Sequence, residues 1–238
     1  MSADHLARYL QPGNMDYYWL AATLGRAAFP LFAAMLAWHL LFNSQNPGRY
    51  TLRILLIALL AQPFYALMIG LPMTYLALNV CFTLAAGLSV GWLLKTALYS
   101  SSAQTPLWLN TRWLLALVAA GLGAWLVAPW VDYGMTGILL VPVLLLFFYA
   151  SDPTQVHRPG LLITSLLLCG WLGIGLNTSG LPTLSTLLAL GLLLLMANQS
   201  SKIQAFSQAL PTLPRWLWLG FYPGHLLLIV MLSHAVRH

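Results

Sequence analysis

Apolar runs of about twenty residues recur from one end of this chain to the other. That repetition constrains the fold more than any motif does. Wound as a helix at about 1.5 Å per residue, a run of this length crosses the hydrocarbon core of a bilayer. Eight such runs are read, at 19–42, 51–70, 76–98, 112–130, 134–150, 160–176, 183–197 and 216–236. The connections between them are short and rich in helix breakers, such as Asn46-Pro47-Gly48, Gly180-Leu181-Pro182 and Pro211 to Pro214. Apolar residues make up 60% of the chain and charged residues 6%, against about a quarter charged in a soluble domain. The expected fold class is all-α: a polytopic integral membrane helix bundle in one domain, 1–238. It has eight full transmembrane helices plus a partial N-terminal helix at 1–10.

The basic residues alternate in placement. Arg49 and Arg53 follow the first span, Lys95 and Arg112 flank the connection after the third, Arg158 follows the fifth, and Lys202 and Arg215 follow the seventh. The intervening connections, 71–75, 131–133 and 177–182, hold no Lys or Arg. By the positive-inside rule the basic loops are cytoplasmic. Residues 11–18 and the C-terminus then face outward, which in a bacterium is the periplasm across the inner membrane. The net charge of +6 is explained by these loops. No basic run interleaved with aromatics offers a nucleic-acid surface, so the bilayer is the expected partner and nucleic acid is not. The N-terminus lacks the apolar core and cleavage site of a signal peptide. Cys81 and Cys169 lie in apolar segments and read as buried thiols; no spacing suggests a metal or a redox pair.

Ionisable and strongly polar groups inside spans are costly, which makes them the candidates for function. Arg26, Asn79, Asp132, Tyr133, Asp4, His5 and Asp16 all fall toward the outer end of the bundle, and His225 lies near the middle of the last span. Each also has a plainer reading. Arg26 can snorkel to headgroups, but Gly25 before it and Ala27-Ala28-Phe29-Pro30 after it favour a side chain turned into the bundle, toward Asp16 or Asp4. Asn79 can join two helices, Asp132-Tyr133-Gly134 can be a turn, and His225 can donate to a backbone carbonyl. Gly87 and Gly91 form a GxxxG pair that reads as helix packing. His39 reads as interfacial, and His157, His234 and His238 as loop or terminal residues. Asp4 and Arg8, four apart, can pair on a helix, leaving His5 to project separately.

Five stretches, in order, resemble one family. They are DHL at 4–6, LGRAAFPLFAAMLAWHL at 24–40, LNVCFTLAAGL at 78–88, DYGMTGILLV at 132–141 and FYPGHLLLI at 221–229. Together they resemble the TraX family, named for the F-pilin acetylase of conjugative plasmids and more distantly similar to the membrane acyltransferase-3 superfamily. The resemblance implies a multi-span inner-membrane protein that acetylates the N-terminus of pilin. By motif it carries over Asp4, His5, Arg26, Asn79, Asp132, Tyr133 and His225. Family members have a full apolar helix ahead of the DH pair, whereas Met1 stands three residues before Asp4 here. A late start codon or a truncation of the first helix is therefore expected.

Acyl transfer needs a base, a way to hold the developing oxyanion, and a seat for the thioester. The expected catalytic set is His5, Asp4 and His225. His5 serves as base or transient acyl carrier, since a histidine titrates near neutrality, and Asp4 orients it. Arg26, Asn79, Asp132 and Tyr133 are expected to hold the substrate. The cytoplasmic Arg49, Arg53, Arg112 and Arg215 are expected to hold the phosphates of acetyl-CoA as co-substrate, or else act only as orientation signals. No metal is expected; the resemblance implies pilin as the acyl acceptor, and the residues themselves do not name one. The chain holds no GxSxG, HExxH, P-loop or Rossmann fingerprint. Two other classes stay open: a transporter for small molecules or lipids, which would also place polar groups at mid-depth, and a non-enzymatic part of a conjugation or pilus machine.

Overall fold

The computed structural model describes residues 19, 21–70, 77–100, 111–152, 154, 158–177, 180–197 and 215–237. Eight α-helices stand where eight spans are expected. They are α1 (Arg26–Trp38), α2 (Pro47–Ile69), α3 (Val80–Ser100), α4 (Thr111–Val127), α5 (Gly134–Ser151), α6 (Pro159–Gly175), α7 (Gly180–Ala197) and α8 (Arg215–Arg237). A π-helical turn, Ala21–Gly25, leads into α1, and a second, His39–Asn43, follows it. A 3₁₀ turn, Ala128–Trp130, follows α4. Four stretches are long and apolar enough to cross a bilayer alone: Thr23–Asn43, Pro47–Ile69, Val80–Tyr99 and Gly134–Ser151. The other four carry shorter apolar stretches, Leu114–Trp130, Pro159–Gly175, Gly180–Met196 and Gly220–Leu232. The chain is a multi-pass membrane protein. The partial helix expected at 1–10 lies outside the described residues.

Two helices begin earlier than their apolar runs suggest, and proline is the reason. Pro47 occupies the first turn of α2, where its missing N–H costs nothing, and the Asn46 side chain caps that turn by accepting from the Arg49 N–H at 3.1 Å. Pro182 likewise sits in the first turn of α7.

α5 is apolar on every side and occupies the centre, packed by α6, α3 and α1, with α4 against its start. α1 also packs on α7, α7 on α6, α2 on α3, and α8 on α2. Phe29, Leu40, Leu88, Leu140, Leu144 and Leu145 are fully enclosed. Large apolar side chains such as Leu60, Leu67, Trp125, Trp171 and Leu195 cover the outside. In water that outside would be an aggregation surface; in a bilayer it is the lipid face. Shallow apolar grooves of about 420 and 250 Å³ run along α1 and α7, lined by residues such as Leu31, Leu188, Leu193 and Met196.

Gly87 brings α3 and α5 into close contact. A Cβ there would stand 2.8 Å from the Ile138 carbonyl oxygen, so backbone, not a flexible side chain, blocks it. At Gly91 the obstacle is a leucine methyl, Leu40 Cδ2, at 3.2 Å. The GxxxG pair is thus a packing device. Gly121 on α4 meets nothing within 4 Å. Gly87→Ala is expected to lower stability by about 1–3 kcal/mol through overpacking, read as an earlier midpoint in detergent-micelle unfolding. Gly121→Ala should leave the midpoint unchanged or raise it slightly, alanine being the better helix former.

Candidate functional site

Six of the basic residues stand near the helix ends where α2, α4, α6 and α8 begin, while Arg26 and several other polar groups stand where α3 and α5 begin. Arg49 and Arg53 stand in the first turns of α2, Arg112 at the start of α4, Arg158 just before α6 and Arg215 at the start of α8. Arg49, Arg53 and Arg112 are exposed. The Arg215 side chain is outside the described set. Lys95, near the end of α3, belongs to the same end: its Nζ donates to the carbonyls of Leu40 at 2.7 Å and Ser44 at 3.4 Å. A π turn leaves carbonyls without regular helical partners, and the ammonium supplies one.

The opposite end is built around the connection from α4 to α5. Val131 bridges to Leu78, the Leu78 N–H donates to the Trp130 carbonyl at 2.7 Å, and the Asp132 N–H donates back to Leu78 at 3.3 Å. The Thr83 hydroxyl donates to the Asp132 carbonyl. The chain then reverses through two left-handed residues, Tyr133 at φ 63° and Gly134 at φ 52°. Glycine adopts this conformation at no steric cost, while for Tyr133 it costs about 1–2 kcal/mol. The Tyr133 ring is held by stacking on Phe29, centroids 4.1 Å apart. Gly137 makes room for it: a Cβ there would lie 2.6 Å from the Tyr133 Cβ.

Arg26 turns into this corner. Its guanidinium reaches the Tyr133 hydroxyl at 3.4 Å, and its Cζ lies 5.8 Å from the ring centroid. Pro30, four residues on, cannot donate to the Arg26 carbonyl, so the helix is loosened at the point where the charge must turn inward. Asp16 and Asp4, the partners expected for Arg26, lie outside the described residues, as does His5. The Asp132 carboxylate accepts from the Tyr65 hydroxyl of α2, 3.0 Å from each oxygen.

Asn79 braces the site from below. It is 0% exposed. Its Oδ1 accepts from the Cys81 N–H at 3.0 Å, capping α3. Its Nδ2 donates to the Ala58 carbonyl at 2.8 Å and to Gln62 Oε1 at 2.9 Å, both on α2. Gln62 completes the clamp by donating to the Ala77 carbonyl at 2.6 Å. Both side-chain donors of Asn79 are thereby used within the protein, so it ties α2 to the start of α3.

α8 supplies the last wall. His225 Nδ1 lies 3.0 Å from the Phe221 carbonyl, and its ring is 5.1 Å from that of Tyr222. A carbonyl only accepts, so Nδ1 carries the hydrogen and Nε2 keeps the lone pair of the neutral ring. Tyr222 is 9% exposed, and Asp132, Tyr65, Tyr133 and Cys81 lie within electrostatic reach of its hydroxyl. Among the described residues, no three His, Cys, Asp or Glu side chains come together as a metal site.

The family model described as TraX protein matches residues 1–233. The chain belongs to the TraX family. Membership suggests a membrane protein related to conjugation or pili. No curated protein and no solved structure is matched. In this TraX chain, three of the stretches that carry the resemblance meet at one end, the start of α1, the start of α3 and the corner before α5, and the fourth, within α8, packs on α2. Sequence reading did not single out Gln62, Tyr65, Thr83 or Tyr222. The available signal was spacing, since Gln62 and Tyr65, and Tyr222 and His225, each stand three apart on one helix face.

Asn79→Ala removes a cap and two interhelical bonds. It is expected to lower stability by about 1–3 kcal/mol, seen as a lower melting temperature in detergent. Asn79→Asp keeps the capping oxygen but loses both donors, and should recover only part of that loss.

Proposed function

We propose that this chain is a membrane acyltransferase. It moves an acetyl group from cytoplasmic acetyl-CoA to an amine or hydroxyl on the periplasmic side of the bacterial inner membrane, the N-terminus of pilin being the acceptor in the type family. The carrying observation is the meeting of Arg26, Tyr133, Asp132 and Tyr65, with the Tyr222–His225 helix packed on α2 beside them, away from the helix ends that carry Arg49, Arg53, Arg112 and Arg158. A charged donor and a separate acceptor need chemically different faces, and this chain has two.

In this reading the basic end faces the cytoplasm, where Arg49, Arg53, Arg112 and Arg215 hold the phosphates of acetyl-CoA. The C-terminus is then periplasmic. At the polar end Asp132 and Tyr133 hold the acceptor. Arg26 balances the charge that develops on the carbonyl oxygen as the nucleophile adds. The acceptor's proton goes to a histidine, either Nε2 of His225 or the carried-over His5, with Asp4 as its orienting neighbour.

The test is acceptor-dependent release of CoA thiol by purified protein in lipid nanodiscs, given radiolabelled acetyl-CoA and a peptide with an unblocked N-terminal amine. Wild type should release thiol and label the peptide. Arg26→Ala and Asp132→Asn should each lower kcat/KM by about 10²-fold with the fold intact. His5→Ala and His225→Ala, compared in the same assay, separate the two bases: loss with one and retention with the other names the base. Wild-type protein that neither binds nor cleaves acetyl-CoA would falsify the enzyme reading.

A further inference from the structure

A buried hydroxyl with no hydrogen-bond partner is expensive, because water has been taken away and nothing has replaced it. The Tyr222 hydroxyl is in that position: it is enclosed and, among the described residues, makes no hydrogen bond. Its surroundings are not wholly apolar. The ring is 9% exposed and shares the enclosed cluster between α8 and α2 with Tyr65, and the Asp132 carboxylate and Tyr133 act on the hydroxyl electrostatically. Tyr65 uses its hydrogen on Asp132. The Tyr133 hydroxyl takes the hydrogen of Arg26. Tyr222 therefore keeps an unused O–H donor at the meeting point of α8, α2 and the α4–α5 corner. A phenylalanine would fill the same volume without the penalty, so packing gives no reason for the oxygen.

We propose that Tyr222 is a ligand-contacting residue of this site, its O–H donating to the carbonyl oxygen of the acyl group in transfer. The proposal rests on the acyl-transfer reading and adds to it the donor that faces the oxyanion. In the step, the acceptor nitrogen attacks the thioester carbon, forming the N–C bond, and an electron pair moves onto the carbonyl oxygen. Tyr222 and Arg26 stabilise that oxygen. The pair returns, the C–S bond breaks, and CoA departs as thiolate. The proton lost by the nitrogen passes to the histidine base and then to the thiolate, so the charges balance. The class of ligand is a small acyl thioester whose carbonyl sits between α8 and the corner.

The experiment compares wild type, Tyr222→Phe and Tyr65→Phe in nanodiscs with acetyl-CoA and an amine-ended peptide, reading kcat, KM and melting temperature. Tyr222→Phe should keep or raise the melting temperature, leave KM for the peptide within about twofold, and lower kcat by about 10²-fold. Tyr65→Phe, which strips a donor from Asp132, should move KM for the peptide instead. A second variant guards against misfolding: 3-fluorotyrosine at 222 keeps the shape and makes the O–H a stronger donor, so kcat should change while the melting temperature does not. An active wild type with Tyr222→Phe and the fluorinated form both turning over at the wild-type kcat overturns this proposal alone. A wild type that does not bind or cleave acetyl-CoA overturns the acyl-transfer reading and this proposal with it.

Discussion

Hydrocarbon offers no hydrogen bonds, so wherever a helix of this bundle stops or opens, the protein must supply the partner itself. The side chains that do this come mostly from a neighbouring helix. Gln62 and Asn79 close the gap before α3, Thr83 takes up the carbonyl of Asp132, Lys95 reaches across to the turn after α1, and Ser185 donates to the Thr23 carbonyl. Each bond therefore does two things at once: it satisfies an orphaned backbone group and it fixes one helix against another. The polar end is the place where most of these needs coincide. The left-handed corner at Tyr133 and Gly134 is tolerated because Phe29, Thr83 and the space over Gly137 hold it from three sides.

The helices were legible because apolar runs and charged connections leave few alternatives, and the two ends shifted by proline follow from a rule about first turns. The inward aspect of Arg26 was legible in its small neighbours and in Pro30. The partner was not: Tyr133 is 107 positions away, and no local pattern connects them. Tyr65 and Gln62 were missed for a related reason. Uncharged polar residues are common enough in membrane helices that nothing marks one until its partner, 67 positions on for Tyr65, is seen beside it. The plain reading of His225, a ring bonded to a backbone carbonyl, describes its Nδ1. Asp132-Tyr133-Gly134, which reads as turn or site, is a turn.

Family membership and geometry speak to different levels. Membership covers nearly the whole chain and relates it to conjugation or pili. Geometry relates particular residues: separated stretches meet through Arg26, Tyr65, Thr83, Asp132 and Tyr133. Neither of the two apolar grooves is lined by Arg26, Asp132 or Tyr133, so the polar corner and these hollows belong to different parts of the surface.

The separation of the two ends also acts as a ruler. Arg53 and Tyr65 stand on the same helix twelve residues apart, which is about 18 Å along its axis. A molecule that touches the basic end with its charges and the polar end with its reactive group has to span that length in one piece. Between Arg53 and Tyr65 the helix carries no charge, its residues being leucine, isoleucine, alanine and phenylalanine apart from Gln62 and Pro63. On the acyl-transfer proposal, the donor would be chosen by its length before any side chain at either end met its chemistry.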